Sequence, residues 1–341
     1  MAAKRKVCFT GPMRVKIAEN ILRNAGCDLV LGKPQDDFRT FRYERKELIQ
    51  LIDDCPIVYP SGRDVIGGDI LDSCPDLQAV VKSSIGIETV DVEAATDLGI
   101  LCCNSPTPEN YLGVAEATVG FMVALFKRLK LNEAFFRNGG WKELDNRGAL
   151  MIGRTVGIVG VGRIGQNVAK RLGGWGMKIL GYDPYVKQEA VDHLGITMVS
   201  LDELLKESDV VTLHVVLTRE TRGMIGIREL KLMKPTGFIV NTSRGQAIKE
   251  SDLVQALKEK IIAGAALDVF EEEPMPADNP LRQVDPSRLI LTPHNIGANP
   301  GSGEAGQKMA AESMLAILDG KIPDTVVNPL AIPRWKERFC S

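Results

Sequence analysis

Residues 155–165 read TVGIVGVGRIG, and the order of residue types in that stretch decides the fold. Val156, Ile158 and Val159 make a short apolar, β-branched run, the composition of a buried strand. Gly160, Gly162 and Gly165 follow with the spacing G-x-G-x-x-G, and Val168, Ala169 and Leu172 then recur at helical spacing. The glycines therefore occupy a strand-to-helix turn. In such a turn the first glycine allows a tight bend, the second lets backbone approach a pyrophosphate, and the third brings helix close to strand. The helix N-terminus then offers its unpaired N–H groups and positive dipole end to the phosphates. A second strand, Lys178 to Tyr182, ends at Asp183, 18 residues beyond Gly165. An acid there accepts hydrogen bonds from an adenosine ribose and repels a 2′-phosphate, which predicts NAD rather than NADP. A glycine triplet alone is a weak signal in a chain with 33 glycines, where tight βαβ packing is the plain alternative. The full order of strand, glycines, helix, strand and acid favours a dinucleotide site.

At 341 residues the chain is long enough for two domains, each with its own core. A net charge of −2 gives no electrostatic case for nucleic acid or an anionic membrane. The short basic run Lys4-Arg5-Lys6 reads as the solvated start of a first strand. The seven cysteines show no C-x-x-C spacing, and Cys102 and Cys103 fall in an apolar strand. That usage suits reduced, buried thiols in a cytoplasmic protein. No signal peptide is expected before Val7, and no apolar run approaches membrane-spanning length. His193, His214 and His294 are the whole histidine complement, none paired at ligand spacing, so no metal is expected.

In chain order, strands are expected at 6–10, 27–31, 57–59 and 77–83, with helices at 14–24 and 44–52. This alternation implies a small parallel α/β domain ahead of the glycine turn. The polar, proline-bearing segment NSPTPEN near Asn104 reads as a crossing between domains. A long apolar helix is expected from about Gly113 to Leu129, with Val114, Thr118, Phe121, Met122 and Leu125 on one side, as an interior or subunit-contact helix. Beyond Asp183, helices at 201–208, 227–233 and 250–260 alternate with strands at 209–215, 238–241, 262–269 and 289–291. Counting from Val156 this makes six strands, enough for a complete dinucleotide-binding sheet. A C-terminal helix at about 306–318 is expected to return to the first domain. The architecture is thus α/β with two doubly wound parallel-sheet domains. A Rossmann NAD-binding domain, 105–299, is inserted into a discontinuous flavodoxin-like substrate domain, 1–104 and 300–341.

Ligands bind outside the carboxyl ends of such strands. There the chain places Arg244 in NTSRG, an acidic cluster Glu271-Glu272-Glu273 after Asp268, and His294 in LTPHNIG. These groups suit hydride transfer to a 2-keto acid. An imidazolium neutralises the charge that builds on the carbonyl oxygen, a carboxylate orients and charges that imidazole, and a guanidinium grips the substrate carboxylate. His294 is the expected acid–base. His193 reads as a surface bystander, and His214 as either a cofactor contact or a satisfied structural residue. Asp268 suits the nicotinamide amide or a turn cap.

NTSRG, ALDVFEEEP and LTPHNIGA behind GIVGVGRIG closely resemble the D-2-hydroxyacid dehydrogenases. SSIGIETVDVEAATDLGI (83–100) and GVAEATVGFMVAL (113–125) are similar to the family's substrate loop and the helix after its first crossing. The resemblance covers most of residues 75–330. It implies Arg244 on the substrate carboxylate, Glu273, immediately before Pro274, paired with the histidine, and His294 as acid–base. It implies an NAD site lined by Gly160, Gly162, Arg163, Ile164, Gly165, Asp183, Val215, Thr242, Ser243, Asp268 and Gly297. Arg244 and His294 would border that cofactor. Ser84, Ile85 and Gly86 would offer N–H groups to the substrate, with Ile85 near the nicotinamide. It also implies two domains closing over a cleft and a homodimer built on the cofactor domains.

Three departures bear on the substrate rather than the reaction. Ser84 stands for the first Gly of a usual Gly-x-Gly, Val216 for a common proline, and Ala117 follows Ala115-Glu116 where many members carry His. The loop and helix look most like the phosphoglycerate-oxidising members, which need an extra cation. Arg63 and Lys82 are the candidates. Reduction of glyoxylate, hydroxypyruvate or a bulkier 2-keto acid fits as well. Two readings from other classes compete: a non-catalytic NAD-sensing corepressor on the same fold, and a nucleotide-fold methyltransferase.

Overall fold

Strand and helix alternate through most of the chain. The computed structural model describes residues 5–11, 15–33, 43–62 and 64–340. The chain divides into two units, residues 1–110 with 299–341, and residues 111–298. In the first, β1 (Lys6–Phe9), α1 (Ile17–Asn24), β2 (Asp28–Leu31), α2 (Arg45–Ile52), β3 (Ile57–Tyr59), α3 (Gly68–Asp72), β4 (Ala79–Val81), α4 (Val92–Leu98) and β5 (Leu101–Cys103) follow in order. Their sheet is all parallel with the order β2-β1-β3-β4-β5, the flavodoxin-like winding. Alternate residues of each strand enter opposite cores. Val7, Phe9, Ile57, Tyr59, Val81 and Leu101 face one side, and Cys8, Val58, Val80 and Cys102 the other. The expected helix start at Arg14 lies outside the described residues.

The crossing helix α5 (Pro108–Phe126) begins and ends earlier than expected. Pro108 takes the first helical position, where a missing N–H costs nothing. The chain then turns at Arg128, φ 51°, into a separate α6 (Leu129–Arg137). The division between units falls at residues 110/111 and 298/299, against the expected 104/105 and 299/300. The NSPTPEN segment stays with the first unit because it is hydrogen-bonded there: Asn104 N–H donates to Thr325 O, and Ser105 Oγ to Lys82 O.

The second unit holds β6 (Thr155–Val159), α7 (Arg163–Leu172), β7 (Lys178–Tyr182), β8 (Ile196–Met198), α8 (Leu201–Glu207), β9 (Val210–Leu213), α9 (Ile227–Leu232), β10 (Phe238–Asn241), α10 (Glu250–Lys258), β11 (Gly264–Leu267) and β12 (Leu289–Leu291). Its parallel sheet runs β12-β11-β10-β9-β6-β7-β8. The six expected strands are therefore seven. The missed strand, β8, is a three-residue edge strand paired only to β7 with Thr197 exposed, too short to show an alternating pattern. The long helix α11 (Pro300–Leu318) starts six residues before the expected Gly306, capped by Asn299, whose side chain accepts from Ser302 N–H. A further helix, α12 (Ile332–Phe339), was not expected. Ala310, Ala311, Met314 and Ile317 of α11 and Trp335 of α12 join the core built on Val7 and Phe9. Without this returning segment, only α1 would cover that face.

Candidate active site

The glycine turn shows a separate physical reason for each glycine. Gly160 has φ +91°, and a Cβ there would lie 2.6 Å from His214 O. A Cβ on Gly165 would lie 2.3 Å from Gly160 O, so α7 can approach β6 only without one. At Gly162, φ is −81° and nothing lies within 4 Å of a built Cβ. Its bareness leaves open space beside the N-terminus of α7, where N–H groups lack intrahelical acceptors. Asp183, just past β7, accepts from Val161 N–H at 2.9 Å and from Tyr185 N–H at 2.9 Å. It fixes the turn besides carrying charge at the strand end. This cradle fits an NAD pyrophosphate and ribose. Arg163 is exposed, and Ile164 and Val215 are half-buried, at the start of α7 and just past β9.

Arg244, Glu273 and His294 follow β10, β11 and β12, three neighbouring strands. His294 Nδ1 and Glu273 Oε2 are 2.6 Å apart, and Glu273 Oε1 accepts from Phe270 N–H at 3.0 Å. The bond to Glu273 raises the His294 pKa against the opposing effects of burial and the Arg244 charge. Burial works to raise the Glu273 pKa, but the His294 bond and charge, the Phe270 N–H and Arg244 outweigh it, and the net shift is downward. The ring is thus charged over a wider pH range and held by one nitrogen, leaving Nε2 for chemistry. His294 sits at φ +52°, a left-handed conformation unusual for a non-glycine residue.

Asp268 supports that conformation. Its Oδ1 accepts from Thr292 Oγ1 at 2.5 Å, Asn295 N–H at 3.0 Å and Ile296 N–H at 3.2 Å, so the carboxylate anchors the turn that carries His294. Burial raises its pKa against those bonds. The turn-cap alternative for Asp268 describes its contacts in the chain. Gly297 packs against α5, where a Cβ would lie 2.9 Å from Val114 N.

Thr242 and Ser243 are buried and turned inward. Thr242 Oγ1 lies 2.9 Å from Thr118 Oγ1, and Ser243 Oγ donates to Asn241 Oδ1 at 2.8 Å. Asn241 is a residue the sequence reading missed: its Oδ1 also accepts Ser243 N–H, and its Nδ2 donates to Arg244 O at 2.9 Å, which shapes the loop beneath the arginine. A polar residue ending a strand two positions before Ser243 was the available signal. Arg244 Nη1 donates to Ser243 O at 2.6 Å. Of the other acids, Glu271 exchanges bonds with Glu250 at the base of α10, and Glu272 is exposed. His193 is exposed. His214 Nε2 lies 3.1 Å from Thr212 Oγ1, Nδ1 is buried without a partner among the described residues, and burial lowers the pKa to about 3. A ring that stays neutral is no proton donor at neutral pH.

In the first unit, the Ser84–Ile85–Gly86 loop follows β4. Lys82 is buried and donates to Thr89 Oγ1 at 2.7 Å, so it is engaged within the fold; Arg63 lies outside the described residues. Among the described residues, no group of three or more His, Cys, Asp or Glu could hold a metal ion, and no helix is long and apolar enough to cross a membrane.

Residues 119–295 match the family model described as D-isomer specific 2-hydroxyacid dehydrogenase, NAD binding domain. A glyoxylate reductase of Korarchaeum cryptofilum is 39% identical over 293 residues, covering 83% of this chain and 86% of the relative. The chain belongs to the D-isomer specific 2-hydroxyacid dehydrogenase family. The resemblance carried by its motifs is thereby confirmed, as is NAD(H) as the cofactor of the second unit. The chain is an NAD-dependent oxidoreductase acting on the CH–OH group of a 2-hydroxy acid. A D-3-phosphoglycerate dehydrogenase of Methanocaldococcus jannaschii is 38% identical over 86% of this chain, but the chain spans only 55% of that relative's length. The fold matches a D-lactate dehydrogenase of Aquifex aeolicus, solved with NAD and lactic acid, at TM-score 0.83 and 28% identity, covering 95% of this chain and 99% of that one.

Proposed function

We infer that the protein interconverts a small 2-keto acid and the corresponding D-2-hydroxy acid, with His294, Glu273 and Arg244 as its catalytic set. The observation that carries this reading is the 2.6 Å pairing of His294 Nδ1 with Glu273 at the ends of neighbouring strands. Bound NAD(H) supplies or accepts the hydride. In the reductive direction His294 Nε2–H donates a proton to the carbonyl oxygen, and in the oxidative direction the neutral ring takes the hydroxyl proton. Glu273 keeps the ring oriented and charged. Arg244 grips the substrate carboxylate in a bidentate fork. In the first unit, the Ser84–Ile85–Gly86 loop offers its backbone N–H groups to a substrate carboxylate. The cofactor would be held by Gly160, Gly162, Arg163, Ile164 and Gly165 at the pyrophosphate, by Asp183 at the ribose, and by Val215, Thr242, Ser243, Asp268 and Gly297 along the strand ends.

The substrate class we favour is that of glyoxylate and hydroxypyruvate. Lys82, a candidate for an added phosphate, is buried against Thr89, and the glyoxylate reductase relative is matched over most of its length. Phosphohydroxypyruvate is the second reading, supported by the phosphoglycerate dehydrogenase relative. The protein acts as a homodimer through its NAD-binding unit; exposed Leu129, Phe136, Trp141, Leu144, Leu150 and Ile152 form an apolar stretch there for a partner copy to cover. Unpaired, mostly buried cysteines suit the cytoplasm. The test is NADH oxidation at 340 nm with glyoxylate, hydroxypyruvate, phosphohydroxypyruvate, pyruvate and longer 2-keto acids, with NADPH in parallel. Turnover strongest on the first two supports the reading. Silence across the panel with NADH still bound would return the fold to a sensing role.

A further inference from the structure

Three consecutive peptide groups of the loop after β4 are held by their carbonyl ends. Ser84 O accepts from Ser105 N–H at 3.0 Å, Ile85 O from Asn104 Nδ2 at 2.9 Å, and Gly86 O from Ser84 Oγ at 2.9 Å. A trans peptide is planar, and its N–H points opposite to its C=O. Tying these carbonyls therefore turns the N–H groups of Ile85 and Gly86 away from the 104–105 segment, and that of Ile87 away from the Ser84 side chain. None of the three N–H groups has an acceptor among the described residues, and all three residues are half-buried.

The ends of the loop are fixed too. Lys82 N–H donates to Cys103 O at 2.9 Å before it, and Val90 N–H to Ile87 O at 2.9 Å after it. Behind it, α11 comes so close that a Cβ on Gly306 would lie 2.3 Å from Ser83 O. The loop therefore has little freedom to rotate its peptides and satisfy the bare donors itself. Half-buried N–H groups without acceptors are costly, and successive donors of this kind make an anion site.

We propose that Asn104 and Ser84 are positioning residues that hold the N–H groups of Gly86 and Ile87, beside that of Ile85 fixed by the Ser105 N–H, as a preformed row for the carboxylate of the 2-keto acid. Asn104 fixes the central donor, Gly86. Ser84 fixes the third, Ile87, a tie that the glycine usual at this position in the family pattern cannot make. This rests on the reading that the protein acts on a 2-keto acid, and it adds what sets the geometry and reach of the carboxylate site.

The probe is oxamate, a small carboxylate of 2-keto acid shape, titrated into the NADH-loaded protein labelled with 15N at isoleucine and glycine. In the wild type the amide signals of Ile85, Gly86 and Ile87 move together on titration. Asn104→Ala weakens oxamate binding and raises KM for the 2-keto acid about tenfold, the loss of one oriented hydrogen bond to a charged group. It leaves NADH affinity unchanged and kcat within about threefold. Asn104→Asp, which sets an acceptor against the Ile85 carbonyl, raises KM further. Ser84→Ala removes the Ile87 response alone, and Ser84→Thr, which keeps the hydroxyl, restores it. Loop amides that ignore oxamate in the wild type overturn the proposal, as does an Asn104→Ala variant that binds oxamate as tightly as wild type. Should Asn104→Ala not fold, the Ser84→Ala and Ser84→Thr pair still decides, since an Ile87 response identical in all three proteins refutes it. Oxamate bound at the loop without turnover on any 2-keto acid removes the enzymatic reading and leaves the site. Turnover without loop shifts removes the site alone.

Discussion

Replacing Gly162 and Gly165 by alanine separates the two tasks of the glycine turn. At Gly165 the new methyl would lie 2.3 Å from Gly160 O and 3.0 Å from Ile158 Cγ2. The first neighbour is backbone in a turn already at φ +91°, so α7 must move away from β6. Overpacking of this kind costs about 1–3 kcal/mol, offset by up to about 1 kcal/mol of helix propensity. With a net cost of about 1–2 kcal/mol and roughly 2–4 °C per kcal/mol for a domain of this size, the ligand-free melting temperature falls by about 2–8 °C. At Gly162 the methyl meets nothing within 4 Å and φ is ordinary, so melting stays within about 2 °C of wild type. The same methyl fills the space reserved for a pyrophosphate, so NADH affinity, read by fluorescence titration, drops at least about tenfold. If Gly162→Ala binds NADH as wild type does, the phosphates do not sit at this turn. If Gly165→Ala melts like wild type, the helix–strand packing argument is wrong.

His294→Asn lowers turnover by about two to four orders of magnitude in stopped-flow or steady-state assays while NADH binding is kept; unaltered turnover removes His294 from the mechanism. Glu273→Gln takes away the bond that raises the His294 pKa, so the reductive rate, which needs the protonated ring, is lost at a lower pH than in wild type. A falling limb that stays in place breaks the pairing. The pair also contributes to stability with a defined sign. The raised His294 pKa gives stability that is lost as pH rises through its folded value, and the lowered Glu273 pKa gives stability that is lost as pH falls through its own. The melting difference between wild type and Glu273→Gln is therefore largest between the ordinary values of the two groups, pH 4.5 to 6.5, and shrinks on either side. Asp183→Arg shifts preference from NADH toward NADPH in parallel assays, and by releasing the Val161 and Tyr185 N–H groups it also costs about 1–3 kcal/mol of stability by denaturant titration. An unchanged cofactor preference undoes the ribose assignment.

The chemistry-bearing residues were legible because each occupies a position that local pattern defines. Gly160, Gly162 and Gly165 follow a β-branched run and precede a helical one, and Arg244 and His294 each follow a short apolar strand within a few residues. Pattern failed where it was too short or where a partner distant in sequence decided. Strand β8 is three residues at an edge, held by pairing to β7. The start of α5 was obscured by polar residues, and the segment before it was read as a linker although Thr325 binds Asn104 to the first unit.

By itself the sequence determined the strand–helix alternation around the glycine turn, the class of cofactor and the candidate proton donor, since these depend on residue type and near-neighbour spacing. The resemblance had already pointed to Glu273; only the tertiary structure decided that its carboxylate and the His294 ring meet at 2.6 Å, that Asp268 braces the histidine turn, that the half-buried His214 ring has its pKa lowered by burial, and that Asn104 and Ser84 hold the Ile85 and Gly86 carbonyls. The Glu273–His294, Asp268–Asn295 and Asn104–Ile85 contacts join groups 19 or more residues apart, brought to within about 3 Å by the fold and invisible to any local periodicity.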